Sequence, residues 1–216
     1  MRLLVATPST GFCRSVYAVS LAKLTAYFAS VRVDPNHGEQ WIDFDLVEGS
    51  TISSNRDTLV DRALAVPDLT HLLFIDEDMQ FAPQTLHVLA RRKLPLVGCN
   101  YRKRKPPAEF TALGMDGEHR VKTTEESTGL EEVLNMGFGF CLIDCRVLKA
   151  IPRPRFLPFY QEGYYSTEDF PFFLAARKAG FPAYVDHDAS KLVAHKGDLL
   201  YEWHRDYAGL DEGRVL

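Results

Sequence analysis

The sequence predicts a single α/β domain built on a mostly parallel central sheet with helices on both faces. Three observations carry this. Short apolar runs alternate with segments of helical spacing through the first half of the chain, the pattern of parallel strands joined by crossover helices. One run, Leu72-Leu73-Phe74-Ile75, is apolar without interruption, as a strand buried on both faces must be. It leads straight into Asp76-Glu77-Asp78, and ligands of open α/β sheets bind just outside the carboxyl ends of strands.

Leu3 to Ala6 reads as the first strand, and Thr7-Pro8-Ser9-Thr10-Gly11 as the turn after it, punctuated by Pro and Gly. Val16 to Phe28 has helical spacing, with Val16, Val19, Leu24 and Tyr27 apolar. Trp41 to Val47 alternates, as a second strand does. Ser53 or Ser54 can cap a helix running from about Asn55 to Ala65, which Pro67 closes. Leu72 to Ile75 is the third strand, Pro83 to Arg92 the next helix and Pro95 to Cys99 a fourth strand. Residues 106 to 132 are polar and carry three glycines, so a hairpin or loops are expected there. Gly137 to Ile143 is a further apolar strand, and Cys145 to Ala150 a short helix. Pro152, Pro154 and Pro158 exclude regular structure up to about Gly163. Thr167 to Lys178 reads as a helix with Pro171 in its first turn, where proline is tolerated. Ala183 to Val185 is a last short strand.

With 216 residues the chain can form one large domain with a proper core. Its 46% hydrophobic and 25% charged residues are those of an ordinary globular protein. A net charge of −4 leaves no global basic field to attract nucleic acid. Two local basic runs stand out. Arg91-Arg92-Lys93 reads as a solvated face, whereas Arg102-Lys103-Arg104-Lys105 lies beside Tyr101 and Pro106-Pro107, close to a strand end. Cys13, Cys99, Cys141 and Cys145 show no CxxC spacing, so a reducing cytoplasm rather than a disulfide scaffold is expected, with Cys99 and Cys141, in apolar runs, as buried thiols. The N-terminal run is too short for a signal peptide, and no apolar run approaches the ~20 residues of a membrane span.

Carboxylates at a buried strand end need a cation. A divalent metal carrying nucleotide phosphates suits Asp76 and Asp78, because hard oxygen ligands favour Mg²⁺ and Mn²⁺. Alternatively, Asp78 merely begins the helix signalled by Pro83. Glu168-Asp169 opens a later helix, where acids are favoured electrostatically whatever else they do.

The βα half-sheet, the Asp76-x-Asp78 strand end, Glu168-Asp169 at a helix start and His195 near the end together resemble the GT-A fold of nucleotide-sugar glycosyltransferases. The likeness is to the broad family 2-like group with its short bacterial and phage members, and it spans roughly residues 1 to 200. It implies a Rossmann-like nucleotide-binding half over residues 1–105, an acceptor and catalytic half over 106–200, and a C-terminal tail over 201–216. Thr7-Pro8 resembles the turn that lines the donor base. Ser54-Asn55-Arg56-Asp57 resembles the segment whose Arg reaches the donor, and Arg offers a permanently charged fork for phosphate. As a strand-edge side chain, Arg56 would add little to the core. The resemblance gives Asp76 the ribose or a metal-bound water, and Asp78 the metal that bridges the diphosphate. His195, in a His-x-Gly context, is the implied second ligand, with His187 the competitor; imidazole plus carboxylate suits Mn²⁺. Asp169 is the implied general base of an inverting transfer, with Glu168 positioning it or the acceptor. Gly137, in Asn135-Met136-Gly137-Phe138-Gly139, matches the glycine strand under the sugar, where a ligand comes close to the backbone. Tyr101 with Arg102-Lys103-Arg104 can touch donor phosphates or an anionic acceptor, and Phe159-Tyr160 and Tyr164-Tyr165, flanking the acidic pair, can stack on sugar rings or bases or equally form a small satellite core.

The implied activity is a metal-dependent (Mn²⁺ or Mg²⁺) transfer from a nucleoside-diphosphate sugar, UDP-sugars favoured, to a hydroxyl acceptor. The acceptor stays open between a saccharide, a small molecule, a protein and a modified base of phage DNA. A retaining transferase is the alternative that needs no base. A nucleotidylyltransferase would want a glycine-rich loop after the first strand, where Thr7 to Gly11 has one glycine. A sugar- or nucleotide-binding module without catalysis is the non-enzymatic alternative.

Overall fold

The computed structural model describes residues 1–33, 40–104, 106–161, 163–197 and 199–207. Lys105 of the second basic run and residues 208–216 of the expected tail lie outside them. In chain order the elements are β1 (Arg2–Ser9), α1 (Ser15–Ser30), β2 (Trp41–Glu48), α2 (Ile52–Ala65), β3 (His71–Ile75), β4 (Met79–Phe81), α3 (Thr85–Arg91) and β5 (Leu96–Gly98). There follow β6 (Leu130–Val133), β7 (Phe140–Asp144), α4 (Cys145–Ala150), β8 (Tyr160–Gln161), β9 (Tyr164–Tyr165), α5 (Asp169–Lys178), β10 (Ala183–Asp186), α6 (His187–Ser190), β11 (Val193–Lys196) and β12 (Leu200–Glu202).

The main sheet has the order β2-β1-β3-β7-β5-β10-β6. Strands β2, β1, β3, β5 and β10 run in one direction, and β7 and β6 run against them. Side chains alternate across it with the period of two that strands impose. Leu4, Ala6, Leu72, Phe74, Cys141 and Ile143 enter one core with Leu59 of α2, Leu148 of α4 and Phe172 of α5. Leu3, Val5, Leu73, Ile75, Phe140 and Leu142 enter the other with Leu24 of α1 and Leu86 of α3. Both faces are therefore covered, and this is why Leu72 to Ile75 is apolar at every position.

Several expectations need correction. The strand expected over Gly137 to Ile143 begins at Phe140 and runs antiparallel between β3 and β5. An unbroken apolar run reads the same in either direction, so its sequence carries no sign of polarity. The turn expected from Thr7 is still strand: Pro8 pairs with Val47 and Ser9 with Glu48. Ser53 and Ser54 lie inside the first turn of α2 rather than at its cap, which is Thr51 and has no side-chain cap bond. The segment around Pro158 carries a two-stranded hairpin, β8–β9. Cys99, Cys141 and Cys145 are buried free thiols and Cys13 is exposed. Among the described residues no helix is long and apolar enough to cross a membrane.

One small sheet positions the chemistry. Strand β4 starts immediately after Asp78 and pairs antiparallel with β11, which pairs with β12. The register sets His195 opposite Met79, and Lys196 N donates to Asp78 O at 2.8 Å. This short strand, absent from the sequence reading, is what carries a histidine near the C-terminus back to the end of β3.

Candidate active site

The three acids after β3 have separate tasks. Glu77 braces the segment after β1: it accepts from Ser9 Oγ, from Thr10 Oγ1 at 2.8 Å and from Thr10 N at 3.1 Å. Asp76 turns to α2, where Arg56 Nη2 donates to its Oδ1 at 2.9 Å. Asp78 is buried between Arg104 and His195, with Arg104 Nη1 2.5 Å from Oδ2 and His195 Nε2 3.2 Å from Oδ1. Burial pushes the Asp78 carboxyl up, but His195 and Arg104 outweigh it and hold the group below the usual carboxylate range.

The His195 ring is oriented by its other nitrogen. Nδ1 lies 2.9 Å from the Arg102 carbonyl oxygen, which can only accept, so Nδ1 carries the proton. In the neutral ring Nε2 is then a lone pair aimed at a carboxylate oxygen, and the pair requires a second proton or a cation between them. A metal fits this chemistry. Adjacent ligands of an octahedral ion with bonds of about 2.1 Å sit roughly 3 Å apart, and a backbone carbonyl behind a ligating imidazole is the usual support. Among the described residues no three His, Cys, Asp or Glu side chains form a metal cage. Asp76, held by Arg56, does not join the pair, so any ion on Asp78 and His195 needs ligand oxygens to complete its shell. His187 is engaged elsewhere: Nδ1 meets Thr123 Oγ1 at 3.0 Å and Nε2 meets Glu131 Oε2 at 3.0 Å.

Arg56 is not a strand-edge residue. It sits on α2, is 1% exposed, and its guanidinium packs over the rings of Phe74 and Phe138 at 5.2 and 5.0 Å. Besides Asp76 it reaches Glu168, with Nε 3.5 Å from Oε1. It therefore ties the acid after β3 to the acid before α5. Asp169 opens α5, and its Oδ1 accepts from Phe170 N at 2.9 Å and from Thr167 Oγ1. Burial, with Glu168 adding to it, raises the Asp169 carboxyl above its ordinary value despite the Thr167 bond. Glu168 makes no side-chain cap bond to the helix.

These groups border two cavities. One, of about 420 Å³, is bordered by Arg56, Tyr101, Gly137, Glu168 and Asp169. The other, of about 260 Å³, is bordered by Pro8, Ser9, Ser50, Asn55 and Asp78. Asp76, Arg104 and His195 border both. Of Thr7-Pro8, only Pro8 borders the smaller cavity; the Thr7 hydroxyl is buried against Tyr17 Oη at 2.5 Å. Gly137 and Gly139 serve Tyr101 first. A Cβ would lie 2.2 Å from the Tyr101 Oη at position 137 and 2.6 Å from its ring at 139. The phenol accepts from Gly139 N at 2.8 Å. Burial, and then Asp76, push its pKa well above the ordinary value, so it stays protonated.

Among solved structures, the chain is similar to the crystal structure of A197 from STIV. The match has 20% identity and a TM-score of 0.61, covering 99% of this chain and 100% of that one. The two chains share one fold from end to end. A glycosyltransferase involved in the glycosylation of the major capsid of PBCV-1 matches at 9% identity and a TM-score of 0.37, over 68% of this chain and 62% of that one. The inositol-1-phosphate CTP transferase from T. maritima matches at 13% identity and 0.43, over 86% and 84%. No protein-family model and no curated protein matches the chain.

Some residues of the site were not singled out from the sequence. Asn55 Nδ2 bonds the carbonyls of Ser9 at 3.2 Å and Gly49 at 3.1 Å, pinning the ends of β1 and β2 beside the smaller cavity. Thr111, Arg120 and Asn135 border the larger one. Thr111 and Arg120 lie in the polar stretch read as a hairpin or loops, and Asn135 heads the glycine segment; bridges from Leu113 to Arg120 and to Asn135 set those two side by side.

Proposed function

We propose that the chain is a metal-dependent glycosyltransferase that moves a sugar from a nucleoside-diphosphate sugar to an acceptor hydroxyl, with inversion and with Asp169 as general base. The observation that carries this reading is the facing of Asp78 and His195 across 3.2 Å where two cavities meet. A transferase needs that arrangement: one compartment for the leaving group, one for the acceptor, and charge neutralisation at the border. Mn²⁺ or Mg²⁺ on Asp78 and His195 would supply that neutralisation for the diphosphate.

The donor nucleotide occupies the smaller cavity, a UDP-sugar being favoured. Pro8, Ser9 and Ser50 border it, and the backbone polar groups there can read a base edge. Asp76, bordering both cavities, accepts from a ribose or sugar hydroxyl with the oxygen that Arg56 leaves free. In the larger cavity Asp169 takes the proton of the acceptor hydroxyl. That oxygen attacks the anomeric carbon from the face opposite the diphosphate. The anomeric C–O bond breaks, and its electron pair leaves with the nucleoside diphosphate. The raised pKa of Asp169 supports the assignment, since a base works best when its pKa approaches the operating pH.

Incubation with UDP-glucose, UDP-galactose, UDP-N-acetylglucosamine and GDP-mannose in Mn²⁺ tests the reading. Slow release of nucleoside diphosphate from at least one donor, stopped by EDTA, is expected. Release unaffected by EDTA overturns the metal assignment. Release of pyrophosphate from a nucleoside triphosphate, with no cleavage of any nucleotide sugar, replaces the reading with nucleotidyl transfer.

A further inference from the structure

Four buried polar atoms on three residues bordering the larger cavity have no hydrogen-bond partner among the described residues: Asn135 Oδ1, Thr111 Oγ1, and Arg56 Nη1 and Nε, the last only 3.5 Å from Glu168. Asn135 is 6% exposed. Folded chains leave few buried polar atoms without a partner. All four sit just behind the wall of one cavity, so the chain itself leaves part of that wall's polar capacity unused.

Backbone pairing explains how two of these residues meet. Leu113 is bridged antiparallel to Arg120 on one side and to Asn135 on the other, with Leu113 N donating to Asn135 O at 2.8 Å. Directly opposed residues of antiparallel segments project to the same face. Arg120 and Asn135 thus share a face, and both border the cavity. Arg120 donates from Nη1 to Thr111 O at 2.9 Å; among the described residues no carboxylate lies at ion-pair distance from it, and Glu109 acts on it only from farther off. Lys103 also borders the cavity, with Glu109 at 3.0 Å from its Nζ. One cavity therefore holds cations from residues 103 and 120, carboxylates from 168 and 169, and a hydroxyl and an amide from 111 and 135.

We propose that the larger cavity binds a hydroxylated acceptor carrying an anionic group, a sugar bearing a phosphate or a carboxylate. The anionic group lies on Arg120 and Lys103, ring hydroxyls lie on Asn135 and Thr111, and the reactive hydroxyl meets Asp169. Only the last contact rests on the transferase reading. An Arg fork with no carboxylate at ion-pair distance matches the planar or tripodal oxygens of such a group. Glu168 and Asp169 repel the same group, so the ligand enters one way round, and like-charge exclusion adds to selectivity.

Calorimetric titration of the full chain with glucose 6-phosphate, glucuronate, glucose and inorganic phosphate tests this. Both anionic sugars should bind about tenfold or more tighter than glucose, a difference that falls as salt rises. They should also bind tighter than phosphate alone. Arg120→Ala should remove most of the preference and Arg120→Lys restore part of it, with thermal melts confirming folding. Lys103→Ala, at an exposed position, should weaken the anionic sugars and leave glucose unchanged. Glucose binding as tightly as its phosphate overturns the proposal, as do phosphate binding as tightly as glucose 6-phosphate, an unaltered preference in Arg120→Ala, or no binding of any probe. The two anionic arms tell phosphate from carboxylate. Donor cleavage is read separately: a chain that binds anionic sugars but cleaves no nucleotide sugar loses the transferase reading and keeps this one. A chain that cleaves donors and binds neutral and anionic sugars alike does the reverse.

Discussion

Arg56 Nη2 donates to Asp76 Oδ1 across 2.9 Å, while Nε of the same buried guanidinium lies 3.5 Å from Glu168. A single side chain of α2 thus joins the end of β3 to the start of α5. Arg56→Ala should strip the counter-ion from two half-buried acids and open a gap under Phe74 and Phe138. Removing one partner of a buried pair costs about 3–5 kcal/mol. Urea unfolding should show a loss of that order, with Arg56→Lys in between because it keeps the charge and loses the fork. Wild-type stability in Arg56→Ala would show that the guanidinium is not holding these elements together.

Asp78 and His195 make a second prediction. Asp78→Ala should lower metal-dependent donor cleavage by several kcal/mol of transition-state stabilisation, on the order of 10²-fold or more. His195→Ala should move the Mn²⁺ titration to higher concentration while cleavage at saturating metal partly survives. An unmoved titration would take His195 out of the metal shell.

The parts of this site that were legible in the sequence are those whose chemistry is local. Asp76 to Asp78 follow an apolar run, and Glu168-Asp169 starts a helix, so their places at element ends could be read directly. Their partnerships could not. Asp78 meets His195 only because β4 pairs with β11, and three residues after an acidic triplet carry too little pattern to announce a strand. Arg56 lies in a polar stretch, Ser53-Ser54-Asn55-Arg56-Asp57, that reads as an exposed helix start. Its burial is a tertiary fact, set by the acids that α2 meets. Asn135 comes to the cavity wall through a bridge to Leu113 that lies outside any local window, whereas Arg120 faces Leu113 across a short turn within the stretch read as a hairpin or loops.

Gly137 and Tyr101 yield a prediction about packing. Gly137→Ala places a methyl 2.2 Å from the Tyr101 hydroxyl, so the buried ring or the backbone must shift. Overpacking of this kind costs about 1–3 kcal/mol. Tyr101→Phe removes the hydroxyl that is struck first, so the double variant should lose less than the sum of the two single losses. Simple additivity in thermal melts would mean that the glycine answers to something other than Tyr101.

Asp169 joins activity and stability with opposite signs. Its folded-state pKa is raised, chiefly by burial. A base must be ionised, so turnover should be present above that raised value and be lost as pH falls through it. The acid limb should therefore lie above the ordinary aspartate range. The same shift means that the folded chain binds this proton more tightly than the unfolded chain does. Between the ordinary and the raised value, stability contributed by Asp169 then falls as pH rises. Asp169→Asn keeps the size, removes the charge, and cannot accept the proton. At neutral pH it should be at least as stable as the wild type, bind donor normally, and turn over about 10²–10⁴-fold more slowly. A helix-capping role would give the reverse, with stability lost and turnover per folded molecule retained. A product that keeps the donor's anomeric configuration would remove the need for a base and leave Asp169 to position the acceptor.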